Sequence, residues 1–284
     1  MPADYPQVPR SDLVFGKYRL LRPLDDIDSG EAYLATLVGI EGFEKRVVIW
    51  RISGALARAA NLIDAVIFEA KRAASLSHSS LAQVLDLGVV EGTCVVVTEH
   101  VPGHSLGAVL RGASQLPWHV AAHLAGEVAE GLSYAHGRRA SNGDLLRLVH
   151  RRLSPGRIAL TAAGDVKLTG FGMSWAWTAL DEYRSPEEAR GEPIDGRADV
   201  FALGAVLRNC VPHTGVPDAL RALIDWAMQP YPEQRPTAGE LRQALAGVLH
   251  TADRSVTPRD LAAVAPATAT GPTPGACQPD RRQP

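Results

Sequence analysis

Over the first third of the chain, short apolar runs alternate with polar breaks, a pattern typical of strands. Between Tyr18 and His100, runs of apolar and β-branched residues are separated by Gly, Asp and Ser; they read YRLLRPL, EAYLATLVG, KRVVIWRI, VLDLGVV and TCVVVTEH. The stretch from Ala55 to Leu76 instead places apolar residues three or four positions apart, which indicates a helix. This part of the chain is therefore predicted to be a sheet with one helix.

The hydrophobic spacing changes after about residue 104 and becomes helical. The segment WHVAAHLAGEVAEGLSYAHG, residues 118–137, predicts one long amphipathic helix, and three further helices are predicted at 197–209, 216–228 and 237–249. Thr237 with Glu240 three residues later matches a capping box at the start of the last helix. A short strand pair, 157–170, is predicted to turn at Ala163–Gly164.

Neither end of the chain shows this patterning. Residues 1–14 are polar and punctuated by proline, and they are predicted to be a flexible leader. Residues 251–284 consist largely of Pro, Ala and Thr without periodicity, and a disordered tail is expected there. No basic segment followed by an apolar run marks a signal peptide in residues 1–14.

Composition narrows the class of protein. Apolar residues make up 46% of the 284 residues, enough for a sizeable core, and the net charge of −2 argues against a nucleic-acid binder. The three cysteines are far apart, which disfavours a zinc site or a disulfide framework and fits a reduced, cytoplasmic protein. No apolar run reaches the length of a membrane span. Only four lysines stand against 25 arginines, so chemistry that needs a lysine has few candidates.

Several segments, in order, resemble a bacterial eukaryotic-like Ser/Thr protein kinase over about residues 16–249. They read FEAKRAASLSH, VVVTEHVPGHSL, VHRRLSPGRIAL, VKLTGFG, YRSPEEARG, DVFALG and PEQRPT. The resemblance implies an α+β fold of two lobes within residues 15–250: a small β-rich N-lobe with one helix (about 15–99), a hinge (99–104) and a larger, mostly helical C-lobe (105–250). A cleft between lobes is a common place for a small-molecule site.

The resemblance also assigns positions around the nucleotide, and the residues there depart from the family pattern. The glycine-rich loop positions hold Asp25, Ile27 and Gly30, which resemble an acidic turn more than a phosphate cradle. The matching hinge residues are Glu99 and Val101, preceded by Thr98 at the gatekeeper position.

The phosphate-binding lysine of the third family strand is replaced by Trp50. The indole is expected to fill part of the nucleotide pocket, to pack in the core, or to do both. Lys45 lies five residues away and is expected on the opposite strand face, so it does not replace the missing lysine. Glu69 keeps the helix position whose usual partner is that lysine, and it either holds another cation or is solvated.

The catalytic-loop positions hold Arg152 for the base aspartate, Ser154 for the lysine and Arg157 for the metal-binding asparagine. Gly170 replaces the metal-binding aspartate of the DFG motif. Arginine cannot accept a proton near neutral pH, and Mg²⁺ takes oxygen ligands. These substitutions predict that ATP and Mg²⁺ binding is unlikely and that the site has no catalytic residues, no cofactor and no metal.

Positions that serve architecture in the family are retained. Glu187 and Arg235 match a buried ion pair, Asp199 matches the residue that anchors the catalytic loop, and four side chains match the stack that joins the lobes: Ala73, Val84, His150 and Phe171. The segment from Gly170 to Glu187, which matches the activation segment of the family, is short, and the αG region used by the family for substrate docking is expected to be missing.

These features predict a pseudokinase, not an enzyme, that acts as a protein-interaction or allosteric module in signalling. Its partner is expected to be a protein, such as an active kinase or another signalling protein, with Trp175 and Trp177 either at the contact or packed on the C-lobe. One alternative is a metal-independent nucleotide or anion sensor that uses Arg152 and Arg157, which otherwise form ion pairs with Asp181 or Glu182. A less favoured alternative is a divergent Ser/Thr kinase with weak ATP-dependent activity.

Overall fold

The structure is a computed structural model that describes residues 13–14, 17–24, 30–52, 60–90, 93–113, 115–174 and 181–264. Its N-lobe is built on an antiparallel sheet of six strands in the order β1-β2-β3-β4-β6-β5. The strands are β1 (Leu13–Val14), β2 (Tyr18–Leu24), β3 (Gly30–Val38), β4 (Glu44–Ile52), β5 (Val84–Val90) and β6 (Thr93–Glu99). A 3₁₀ turn, Ile40–Gly42, joins β3 to β4.

One helix packs beside this sheet. Helix α1 (Ala60–Ala73) turns its small and β-branched residues inward, and Val66, Ala70 and Ala73 are all buried. The short side chains of the two alanines let the helix lie close to Gly172 of the C-lobe, because no larger side chain separates the backbones. The position of α1 therefore sets how the two lobes meet.

The C-lobe is helical and carries a small sheet on the side that faces the N-lobe. The strands of this sheet are β7 (Gly103–Ser105), β8 (Ile158–Thr161) and β9 (Val166–Leu168). The helices are α2 (Leu106–Ala113), α3 (Trp118–His136), α4 (Pro186–Ala189), α5 (Gly196–Cys210), α6 (Asp218–Ala227), α7 (Ala238–Thr251) and α8 (Pro258–Val264). Short 3₁₀ turns occur at Pro155–Arg157, Asp181–Tyr183 and Pro232–Gln234.

The central helix α3 is buried along most of its inner face because Leu124, Val128 and Leu132 recur at helical spacing. These residues belong to one continuous apolar cluster that extends from α1 through the small sheet to α7. The cluster crosses the boundary between the lobes, so burial of apolar surface stabilises their mutual arrangement as well as each lobe.

The two-lobed α+β prediction is confirmed. The capping box of α7 is present as predicted: Glu240 N–H donates to the Thr237 hydroxyl, and Thr237 N–H donates to the Glu240 carboxylate. Residues 211–217 alone separate α5 from α6, which matches the expected shortening of the C-lobe in this region.

The end of the C-lobe differs from the disordered tail predicted from residue 251. Helix α7 extends to Thr251, and α8 follows it, capped by Thr257, whose N–H and hydroxyl both donate to Asp260. Leu261 is buried in the main apolar cluster. The compositional argument missed α8 because a single buried leucine and one capping pair anchor a segment that otherwise lacks helical periodicity.

Candidate functional site

The catalytic-loop segment between the lobes is anchored by a buried carboxylate on α5. Asp199 accepts hydrogen bonds from the backbone N–H of His150 at 2.8 Å and of Arg151 at 2.9 Å, and from His136 Nε2 at 2.9 Å. Burial opposes ionisation of Asp199, but these hydrogen bonds and the neighbouring histidines outweigh it, so its pKa lies below the ordinary value. The anchor holds Arg151 with a φ of 67°, a left-handed conformation.

His150 lies at the centre of the stack that joins the lobes. Its ring meets Phe171 edge to face at 4.9 Å between centroids, and both residues are buried, as are Ala73 and Val84. His150 Nε2 donates to Thr169 O at 2.9 Å, and Nδ1 accepts from Arg152 N–H, so the neutral ring satisfies both nitrogens. Burial lowers the pKa of His150, against the smaller opposing effect of Asp199.

Arg152, at the position of the family's base, is engaged by structural contacts. Its Nη1 donates to Glu188 Oε1 at 2.8 Å, and its Nε donates to Ser174 O at 3.2 Å. Burial raises the pKa of Glu188, and Arg152 offsets that effect only in part. The predicted partners of Arg152, Asp181 or Glu182, were wrong for this residue: Arg152 pairs with Glu188, and Asp181 pairs with Arg184, the residue that follows its 3₁₀ turn.

Glu69 on α1 keeps a fixed partner although the family lysine is absent. Both of its carboxylate oxygens accept from the Ser174 hydroxyl, at 2.8 and 3.0 Å, and Arg151 Nη1 lies 4.0 Å from Oε1. A hydroxyl thus replaces a cation as the main partner. Since Arg152 also binds Ser174, one residue of the activation segment connects α1 to the catalytic loop.

Trp50 packs against the core, which is one of the two arrangements expected for it. The indole is half-buried against the main apolar cluster, and its Nε1 donates to the Thr98 hydroxyl at 2.9 Å. The pairing of β4 with β6 places Thr98 opposite Val48, so the bond joins neighbouring strands next to the hinge. The side chains at the lysine and gatekeeper positions therefore bind each other.

The positions of the family's metal ligands supply no oxygen ligand from their side chains. Gly170 has a φ of 99°, and Arg157 ends the 3₁₀ turn that follows Ser154. The side chains of Gly170 and Arg157 therefore cannot themselves coordinate Mg²⁺. Within the described residues, no group of three or more His, Cys, Asp or Glu side chains is arranged to hold a metal ion.

The hinge borders the cleft, and of the glycine-rich loop positions Gly30 alone lies within the described residues. Glu99 ends β6 and accepts from Lys167 Nζ at 2.8 Å, and Val101 follows in the half-buried hinge. Gly30 begins β3. The loop positions Asp25 and Ile27, together with Trp175 and Trp177, lie outside the described residues.

The base of the C-lobe is held by a buried ion pair with saturated hydrogen bonding. Arg235 donates from both terminal nitrogens to Glu187 at 2.7 Å and also binds the carbonyls of Gln229, Arg197 and Pro230. Burial disfavours the charged Glu187, yet the bonds from Arg235 lead the effects that keep its pKa below the usual value. Glu187 and Glu188 are adjacent in α4, so one short helix contacts both the base and the cleft.

The protein kinase domain model matches residues 44–214 of this sequence, which is more than half of the chain. The chain belongs to the protein kinase family. Solved structures agree: the PknI kinase domain of Mycobacterium tuberculosis is 25% identical, with a TM-score of 0.65 over 84% of this chain and 98% of that one.

Relatives with assigned activities are also similar to this chain. The tyrosine-protein kinase MasK of Myxococcus xanthus is 32% identical over 81% of this chain and 39% of its own length. The serine/threonine-protein kinase PknB of Mycobacterium leprae is 30% identical over 52% of this chain and 25% of its own length. The chain thus spans well under half of the length of these relatives.

These comparisons contradict two of our predictions, that the protein is not an enzyme and that ATP and Mg²⁺ binding is unlikely. The family is a family of enzymes that use ATP and Mg²⁺, and the relatives are named as protein kinases. The predictions failed because they treated individual positions as decisive. A positioned base contributes about 10²–10⁴-fold to a rate, which is only part of the acceleration that an enzyme provides.

Two residues of the cleft were missed by the sequence reasoning. Ser174 and Glu188 contact Glu69 and Arg152, yet neither stands at a family catalytic position. Glu188 could have been found from its position directly after Glu187, because neighbouring residues of a helix point in different directions and only one of the two can face the buried pair.

No described helix is long and apolar enough to cross a membrane.

Proposed function

We propose that this chain serves bacterial signalling as a regulatory kinase domain. In this proposal it acts mainly through contact with a partner protein, and it transfers phosphoryl groups more slowly than relatives that have aspartate at the base position. The observation that carries the proposal is the engagement of Arg152 by Glu188 and Ser174, because a guanidinium in this place cannot accept a proton from a substrate hydroxyl.

The contacts around Arg152 support a regulatory role because they fix the position of α1, the activation segment and the two lobes relative to one another. Glu69 connects α1 to Ser174, Arg152 connects Ser174 to α4, and His150 and Phe171 stack between the lobes. All of these contacts are made between groups of the protein itself. A partner that binds such a domain meets lobes already aligned, which lowers the conformational cost of binding.

The first experiment measures phosphoryl transfer by the full chain. Radiolabelled ATP is supplied with Mg²⁺ or Mn²⁺, with the chain itself and a generic basic protein as acceptors, and the PknI kinase domain is assayed in parallel. We expect transfer that co-elutes with the chain in size-exclusion chromatography and is at least about 100-fold slower than that of PknI. Equal rates for the two proteins would contradict the proposal.

A second experiment tests the regulatory part separately. The tagged chain is cross-linked in its own cells, and the captured partner is then purified and assayed with increasing amounts of the chain. The expected result is a saturable change in the activity of the partner. The proposal is wrong if saturating chain binds the partner without changing that activity.

A further inference from the structure

A second cleft lies behind the hinge, on the side away from Trp50, and of the contacts described for the candidate site only the Glu99–Lys167 bond lies in it. It has a volume of about 420 Å³, and residues from both lobes line it. Lys45 comes from β4, His78 and Ser79 from the connection between α1 and β5, Glu99 from the end of β6, and Lys167 from β9. The size is in the range of sites for small molecules.

Two of the four lysines of the chain meet at this cleft. Val47 pairs directly with Glu99 across β4 and β6, and Lys45 is two residues before Val47, so Lys45 and Glu99 share one face of the sheet. Lys167 reaches the same carboxylate from the C-lobe, with Nζ 2.8 Å from Glu99 Oε1. The cleft therefore holds two ammonium groups and one carboxylate.

The carboxylate is already occupied, whereas several donors of the cleft are not. Glu99 accepts from Lys167 and from the backbone N–H of Gln83 at 3.2 Å. Nδ1 of His78 accepts from Ser80 N–H at 3.1 Å, so the neutral ring carries its proton on Nε2 as a donor. Lys45 forms no ion pair with any residue in the described part of the chain. The groups left to bind a ligand are thus mainly donors and cations.

From this arrangement we propose that the cleft behind the hinge binds a small anion that carries a phosphate group. Lysine ammonium groups bind phosphate as point charges, and here one comes from each lobe with the imidazole N–H beside them. A bound phosphate would join β4 to β9 and so couple the lobes at the back of the hinge. This site is independent of the regulatory function proposed above.

The low lysine content gives the first test its internal controls. The full chain is acylated at its amines with and without inorganic pyrophosphate, at constant pH and ionic strength, and each lysine is followed by mass spectrometry. At about ten times the dissociation constant, labelling of Lys45 should slow about tenfold, while Lys17 and Lys71 should be unaffected. Equal protection of all four lysines, or of none, would refute the site.

Variants distinguish binding in the cleft behind the hinge from binding in the front cleft, which is the candidate site that contains Arg152 and Arg157. Binding of pyrophosphate to the full chain is measured by calorimetry, and Lys45→Gln should weaken it by about tenfold or more, because a charge-assisted bond is lost. Lys45→Arg should restore part of the affinity. Lys71→Gln, on the exposed side of α1, and Arg157→Gln, in the front cleft, should leave it unchanged. Loss of binding in Arg157→Gln but not in Lys45→Gln would place the anion in the front cleft and overturn the proposal.

Discussion

Glu187 and Glu188 are adjacent residues of one short helix, and each pairs with an arginine, but the two pairs differ in almost every physical respect. The Glu187–Arg235 pair is buried and doubly hydrogen-bonded, and Arg235 also satisfies three backbone carbonyls. The Glu188–Arg152 pair is only partly buried and is joined by one hydrogen bond of 2.8 Å. The first pair belongs to the base of the C-lobe and the second to the cleft.

The pKa values show what this difference means. Burial acts against both carboxylates, but the hydrogen bonds from Arg235 are the main reason that the pKa of Glu187 falls, while Arg152 does not prevent the pKa of Glu188 from rising. Ionised Glu187 therefore stabilises the fold at neutral pH, whereas ionised Glu188 carries a net cost there. The Glu187–Arg235 pair at the base of the C-lobe is therefore an optimised structural element. The contacts in the cleft, such as the Glu188–Arg152 pair, are weaker and can be rearranged.

The largest effect is expected from breaking the buried pair. Glu187→Ala leaves the charge of Arg235 buried without its partner, and it should lower the free energy of unfolding by about 3–5 kcal/mol, measured by urea denaturation. Arg190→Ala, which removes an exposed pair with Glu192 two residues away, is the control and should give no resolvable change. Similar losses in both variants would show that burial does not distinguish these pairs.

A smaller effect is expected from the pH dependence of the lobe stack. Because burial lowers the pKa of His150, the unfolded chain takes up a proton below about pH 6.5 before the folded one does. The contribution of the neutral His150 ring to the free energy of unfolding is complete above that pH. It is lost as the pH falls, by at most about 1.4 kcal/mol per pH unit.

Comparing the wild type and His150→Gln at pH 7.5 and pH 5.5 isolates this contribution, since glutamine keeps a donor for Thr169 O but does not titrate. The variant should lose less stability than the wild type between the two pH values. His250→Gln, at an exposed position at the end of α7, serves as the control and should behave as the wild type does. An unchanged pH slope in His150→Gln would contradict this, because it would mean that the ring titrates over the same pH range in the folded and the unfolded chain.

The smallest change is expected on the cleft side of α4. In Glu188→Gln the amide oxygen still accepts from Arg152, and the cost of a buried charge disappears, so the free energy of unfolding should change by less than about 1 kcal/mol. Glu187→Gln should cost several times more in the same measurement. If Glu187→Gln and Glu188→Gln lower the free energy of unfolding equally, the contrast between the pair at the base of the C-lobe and the pair in the cleft is wrong.

The same contrast explains how much was predictable from sequence. The strands, α1, α3 and the capping box of α7 follow from local spacing, because each repeats an apolar period or a capping pair within one segment. The partners of Arg152 and Glu69 do not follow from local spacing, since Ser174 is 105 residues from Glu69 in sequence. Helix α8 was missed because its burial depends on contacts with β8.

The central claim is that Arg152, in the place of a catalytic base, holds the activation segment and the lobes together without nucleotide. Hydrogen–deuterium exchange of the full chain tests it at residues 166–174 and in α1. We predict strong protection of both segments in the nucleotide-free wild type and at least about tenfold faster exchange in Arg152→Asp, with Arg190→Asp unchanged as the control. Rapid exchange of these segments in the wild type, or equal exchange in Arg152→Asp and the wild type, would contradict the account.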